Sequence, residues 1–108
     1  MKIFVIDFSR DTTLLEMCSC NGNVVEAEQK DGARAYAACR EFMPDMIVVN
    51  YAVLPSHGRI TAEKINQRKM TSTIPIYFVD GKEGDNSKIR SFARAITREE
   101  LKRILSRE

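Results

Sequence analysis

The sequence predicts an α/β fold, a doubly wound parallel sheet of five strands with helices on both faces. Three observations carry this. Residues 3–6, 46–49 and 74–79 are short, mostly apolar runs, as expected of parallel strands buried on both faces. Between them lie longer segments whose apolar residues recur at helical spacing. The order is strand, helix, strand throughout, which is how a parallel sheet is wound.

The elements follow in order. Residues 3–6 form the first strand, closed by Asp7. Residues 9–21 read as a helix, with Thr13 and Glu16 spaced as a capping box and Leu14, Leu15 and Cys18 on one face. Residues 23–28 read as the second strand. Residues 31–43 form a helix that Asp31 can cap, with Ala35, Tyr36, Cys39 and Phe42 on one stripe and Pro44 as its stop. The third strand is 46–49. Residues 51–58, rich in small side chains and holding Pro55, read as a loop, and 60–69 as a helix with Ile65 in the core. Residues 74–79 are the fourth strand. Residues 81–88 hold two glycines and no apolar stripe, so the fourth helix is expected to be shortened or missing. Residues 89–92 read as a weak fifth strand. Residues 97–106 form the last helix, capped by Thr97, with Glu99 and Glu100 in its first turn and Lys102 and Arg103 beyond, as the helix dipole favours.

With 108 residues, the chain has room for one domain, 1–108, and not for two. A net charge of +2 gives no basic footprint for nucleic acid or a membrane surface. The apolar start is too short for a signal peptide or a membrane span, so a cytoplasmic protein is expected. Its cysteines, Cys18, Cys20 and Cys39, then read as reduced thiols. Cys18 and Cys20 lack further ligands nearby, and the one histidine, His57, is distant in sequence, so no metal site and no cofactor are expected.

In a doubly wound sheet, ligands sit at the carboxyl ends of the strands. Asp7 and Phe8, Asn50 and Tyr51, Asp80 and Gly81, and Arg94 are therefore the residues to inspect.

The segment from Asp31-Gly32 through Ala35 and Pro44-Asp45 to Met46-Ile47-Val48-Val49-Asn50 resembles the second helix and third strand of response-regulator receiver domains. Lys2-Ile3-Phe4-Val5-Ile6-Asp7 is similar to their first strand, Ile74-Pro75-Ile76-Tyr77-Phe78-Val79 to their fourth, and Ile96-Thr97-Arg98-Glu99-Glu100-Leu101 to the start of their last helix. The resemblance spans essentially the whole chain and implies a flavodoxin-like and receiver-like sheet with strand order 2-1-3-4-5.

The departures gather at the functional positions. Asn50 stands where the family has its phosphoacceptor aspartate, and Asp7 is followed by Phe8 rather than a second acid. Asp80 replaces the hydroxyl residue, and Arg94-Ala95 matches the Lys-Pro pair. A receiver needs a carboxylate nucleophile, a divalent cation, and a hydroxyl and an ammonium for the phosphoryl oxygens. Asp7, Phe8, Asn50, Asp80 and Arg94 are thus read as a degenerate phosphoacceptor pocket, with Arg94 expected to bridge Asp7 and Asp80. The plainer readings are a strand-end amide bonded to its loop for Asn50, solvated loop carboxylates for Asp7 and Asp80, and packing for Phe8.

The resemblance implies a non-enzymatic pseudo-receiver in signal transduction, independent of phosphorylation. It would bind a protein partner or a second copy through the face of strand 4, strand 5 and the last helix. Two alternatives remain open: a receiver phosphorylated at a non-standard site, and a small flavodoxin-like ligand binder. No loop reads as a phosphate cradle: 9–13 has hydroxyls but no glycine and carries an acid.

Overall fold

A strand turns successive side chains to opposite faces, and β1 (Lys2–Ile6) shows the consequence. Ile3 and Val5 enter one core, Phe4 and Ile6 the other. β3 (Met46–Asn50) divides likewise, Met46 and Val48 from Ile47 and Val49. The first core is closed by Leu14 and Cys18 of α1 (Thr13–Cys18) and by Leu101 and Leu105 of α5 (Arg98–Ser106). The second is closed by Ala35, Cys39 and Phe42 of α2 (Gly32–Phe42) and by Ala62 and Ile65 of α3 (Pro55–Gln67). Apolar side chains on both faces are why these strands read as unbroken runs. With β2 (Val24–Glu28), β4 (Ile76–Val79) and β5 (Arg94–Ile96), the computed structural model, which describes residues 1–106, holds a five-stranded parallel sheet. Its order is β2-β1-β3-β4-β5, as expected.

The fourth helix is cut to the four residues of α4 (Glu83–Asn86), followed by a 3₁₀ turn at Ser87–Ile89. The expected fifth strand at 89–92 is corrected. Ile89 is buried in the second core, and its carbonyl accepts from the Phe92 and Ala93 amides, so the chain turns there. Ile89 and Phe92 anchor that turn to the core, and the strand begins only at Arg94.

Other boundaries differ too, α1 ending at Cys18 rather than at 21 and α3 at Gln67 rather than at 69. α1 begins at Thr13, not at 9, because side chains hold the preceding loop: Asp11 Oδ1 accepts from the Thr13 amide and hydroxyl. Thr13 is thereby the first helical residue rather than the cap, so the expected Thr13–Glu16 capping box does not form, and the hydroxyl of the N-cap residue Thr12 donates to Glu16. α3 begins five residues earlier than expected, with Pro55 in the first turn, where its fixed φ and missing N–H cost nothing. β4 begins after Pro75, which has no N–H for the ladder. Asp31 does cap α2, accepting from the Ala33 amide at 2.9 Å, and Met43 ends it in the left-handed region just before Pro44. Thr97 and Glu100 form the capping box of α5, each accepting from the other's amide at 3.1 Å.

Candidate functional site

β1 and β3 are neighbours with Ile6 opposite Val49, so the next residues, Asp7 and Asn50, face one another at the carboxyl edge. Asp7 is buried, 1% exposed. Its Oδ1 accepts three hydrogen bonds: from the Ser9 amide at 2.9 Å, the Ser9 hydroxyl at 2.6 Å and the Asn50 side-chain amide at 3.1 Å. Asn50 Oδ1 accepts in turn from the Ala52 amide at 3.0 Å. Asn50 therefore does both things open to it: it holds its own loop and neutralises part of the buried carboxylate's demand for donors. Asp7 is not the solvated carboxylate of the plainer reading.

Phe8 is half-buried against the second core, and its ring meets His57 edge-on with centroids 4.3 Å apart. It brings packing to this edge where an acid would bring charge.

Asp80 follows β4 with φ +62°, a left-handed conformation that aspartate tolerates better than most residues. Its carboxylate pairs with Arg98 at the start of α5, both side chains about one-third exposed. The next residue, Gly81, is required by packing, since a Cβ there would collide with the Tyr51 ring and Asn86 Oδ1. Tyr51 is buried, lies edge-on to Phe78 at 4.6 Å and donates its hydroxyl to the Asp85 carbonyl at 2.8 Å, so it fastens α4 to the sheet.

Asp7, Phe8 and Asn50 thus come together, whereas Asp80 and Arg94 each find other partners. The expected Asp7–Arg94–Asp80 bridge is corrected. Among the described residues Asp80 pairs with Arg98, and Asp7 pairs with no cation. Arg94 opens β5 opposite Tyr77, and its guanidinium lies 5.9 Å from that ring's centroid. The cause is the turn at residues 89–93, which delays the strand and leaves Arg94 two positions, about 7 Å, below its carboxyl end. Arg98 did carry a signal in the sequence. A cation in the first turn of a helix opposes the helix dipole, so it calls for a carboxylate partner.

No protein-family model matches the chain, and no curated protein matches it. Among solved structures, it is similar to the N-terminal domain of a response regulator receiver protein from Methanoculleus marisnigri JR1. The TM-score is 0.71 over 98% of this chain and 94% of that one, at 19% identity. The chain has the receiver-domain fold.

The receiver fold implies a divalent cation at this edge, and the residues present do not fit one. A hard cation prefers several carboxylate or carbonyl oxygens. Asp7 turns Oδ1 to three donors, Phe8 offers no oxygen, and the Asn50 oxygen is held by an amide. Among the described residues, no group of three or more His, Cys, Asp or Glu side chains is placed to hold a metal ion. None of the helices among these residues is long and apolar enough to cross a membrane.

Proposed function

We propose that this chain is a pseudo-receiver: a non-enzymatic, cytoplasmic regulatory module that works through protein contact, without phosphoryl transfer at the end of β3. One observation carries the reading. The side chain at the acceptor position is an amide, and it is spent as a hydrogen-bond donor to the buried Asp7. An amide oxygen is a poor nucleophile toward phosphorus and gives no stable acyl phosphate. The surrounding residues supply no cation site, and Asp80, whose carboxylate is paired with Arg98, offers no hydroxyl to a phosphoryl oxygen.

The contact surface is the face of β4, β5 and α5. α4 is reduced to four residues, but Ile89, Phe92 and Ala93 cover the core in its place and β4 stays largely buried; what is open is the sheet edge, where β5 exposes Arg94 and Ala95. Unpaired edges invite association. The partner is a signalling or output protein.

Incubation with acetyl phosphate and magnesium, followed by intact mass measurement, tests the reading. The mass should stay unchanged. A stoichiometric phosphoryl adduct, at any residue, would return the chain to the phosphorylated receivers and sink the proposal.

A further inference from the structure

β1 and β2 pair with Ile6 opposite Glu28, and the Asp7 amide bonds to the Glu28 carbonyl at 3.1 Å. The loops that follow these two strands therefore leave the carboxyl edge side by side. Between them lies a depression of about 500 Å³, bordered by Phe8, Ser9, Arg10 and Thr12 of the first loop and by Gln29 and Lys30 of the second. Ligand sites in doubly wound sheets lie at this edge, and the volume falls within the roughly 300–1,000 Å³ of small-molecule sites.

The border holds two cations and no acid. Depressions elsewhere on the surface are bordered by both signs: Glu83 and Arg90, Glu41 and Arg40, Glu100 and Arg103. Here the acids closest in sequence are turned to loop amides instead. Asp7 accepts from Ser9, Asp11 from Thr13, Glu28 from Lys30 and Asp31, and Asp31 from Ala33. Among the described residues, Arg10 and the Lys30 ammonium pair with no carboxylate, and the carboxamide of the half-buried Gln29 makes no hydrogen bond. The two hydroxyls on the border are already donating, Ser9 to Asp7 at 2.6 Å and Thr12 to Glu16 at 3.2 Å. The free polar groups are thus Arg10, Lys30 and Gln29, beside the apolar wall of Phe8. The Phe8 ring is fixed beforehand by the second core and by His57, so little side-chain freedom is lost on binding.

We propose that this depression binds a small aromatic phosphomonoester, about the size of a nucleoside monophosphate, with its phosphate between Arg10 and Lys30, its ring against Phe8 and a polar ring edge on Gln29. The inference adds a small-molecule input to the pseudo-receiver reading and does not depend on it. Two unpaired cations call for close to two negative charges on one group. A phosphomonoester carries about −1.5 to −2 at neutral pH, whereas a carboxylate carries a single charge. A guanidinium grips two phosphate oxygens at once, and an ammonium adds a point charge. No glycine-rich backbone cradle is involved, since side chains from two loops hold the anion. The Ser9 amide and hydroxyl bond to Asp7, and Asp7 bonds to Asn50, so occupancy reaches the acceptor edge through these two bonds and one more.

The test is a heteronuclear NMR titration of the native chain with adenosine monophosphate and, separately, with phenyl phosphate. Saturable shifts are expected at the Phe8, Ser9, Gln29 and Lys30 amides and at the Asn50 side-chain amide. Binding should weaken with salt, because both cations are exposed. Each ester should bind about tenfold or more tightly than inorganic phosphate and than its phosphate-free parent, adenosine or phenol. Arg10→Glu and Lys30→Glu should each weaken binding about tenfold or more, Arg10→Lys less, and Lys64→Glu, an exposed position on α3, should leave it unchanged. Arg10→Lys and Lys30→Gln serve if a charge reversal misfolds. Absence of saturable binding by both esters would overturn the inference. So would inorganic phosphate or the phosphate-free parents binding as tightly as the esters, or an equal loss in Lys64→Glu. The acetyl phosphate assay on the same samples separates the two claims. Failed ester binding removes only this site, whereas a phosphoryl adduct removes only the pseudo-receiver reading.

Discussion

The Asn50 side-chain amide donates to Asp7 Oδ1 at 3.1 Å across the carboxyl edge of the sheet, and both residues are buried. Asn50→Asp would exchange this donor for a second carboxylate facing the first. The Ala52 amide can still be accepted, but the bond to Asp7 is lost and two acids meet without a cation. The expected cost is about 1–3 kcal/mol at neutral pH, the range for losing a partner of a buried polar group. It should shrink as the pH falls and one of the pair takes a proton. Urea unfolding of both proteins at neutral and mildly acidic pH measures this. Magnesium and beryllofluoride should bind the variant weakly at best, because Phe8 still withholds an oxygen ligand. Tight saturable binding of both, read by NMR, would show an intact receiver pocket.

Arg98 and Asp80 form a pair whose side chains remain about one-third exposed. Screening by water limits such pairs, so Arg98→Ala should cost no more than about 1 kcal/mol. The backbone at Asp80 matters more. At φ +62°, Asp80→Gly loses the pair but relaxes the chain and should be close to neutral. Asp80→Val adds a branched Cβ to the same conformation and should cost roughly 1–2 kcal/mol more than Asp80→Gly. Equal stability of the two variants would contradict the role given to this turn.

Gly81→Ala should be destabilising by roughly 1–3 kcal/mol, the cost of inserting a methyl group into a packed contact. The added Cβ meets the Tyr51 ring and Asn86 Oδ1. Tyr51 holds α4 through its hydroxyl bond to Asp85, so the variant should also loosen that segment. Hydrogen exchange of residues 82–89 should quicken relative to the central strands. Unchanged exchange and unchanged stability would mean that Tyr51 yields without cost.

The central strands were readable because burial on both faces leaves unbroken apolar runs, as in Ile3–Ile6 and Ile47–Val49. The shortened fourth helix was readable from its missing stripe. The fifth strand was not. Ile89 and Phe92 are apolar because they anchor a turn to the core, and composition does not separate an anchor from a strand. At the site, the Asp7–Asn50 pairing follows from adjacent strand ends and was within reach of the sequence. The partner of Asp80 was legible only in part: Arg98 in the first turn of α5 called for a carboxylate, but setting Arg94 aside depended on where β5 begins. Ser9 belongs to the site through two bonds to Asp7 that only a closed loop creates.

The thiols give a prediction with a definite sign. Cys18 and Cys39 are buried in opposite cores, while Cys20 is exposed. Burial pushes the Cys18 thiol up from 9.0 to about 12, with repulsion from Cys20 adding to it, and burial pushes Cys39 from 9.0 to about 11. Both groups hold their protons more tightly when folded. Below pH 9.0, the ordinary value, folded and unfolded chains are both protonated and these thiols impose no pH dependence. Above it the unfolded chain loses protons that the folded chain keeps. Stability must then fall as the pH rises, by up to about 1.4 kcal/mol per pH unit for each thiol, until the folded-state value is reached. Cys18→Ala and Cys39→Ala each leave a cavity and should be less stable at pH 7. The double variant should nonetheless show a shallower alkaline decline than the native chain. Urea unfolding between pH 8 and pH 10.5 reads the difference in slope, with lysines and tyrosines common to both proteins. Ellman's reagent gives an independent check. At pH 8 the folded protein should release one equivalent promptly, from Cys20, and all three cysteines should react after unfolding. Prompt reaction of all three in the folded protein, or identical alkaline slopes, would show that the two cores do not seal these thiols from water.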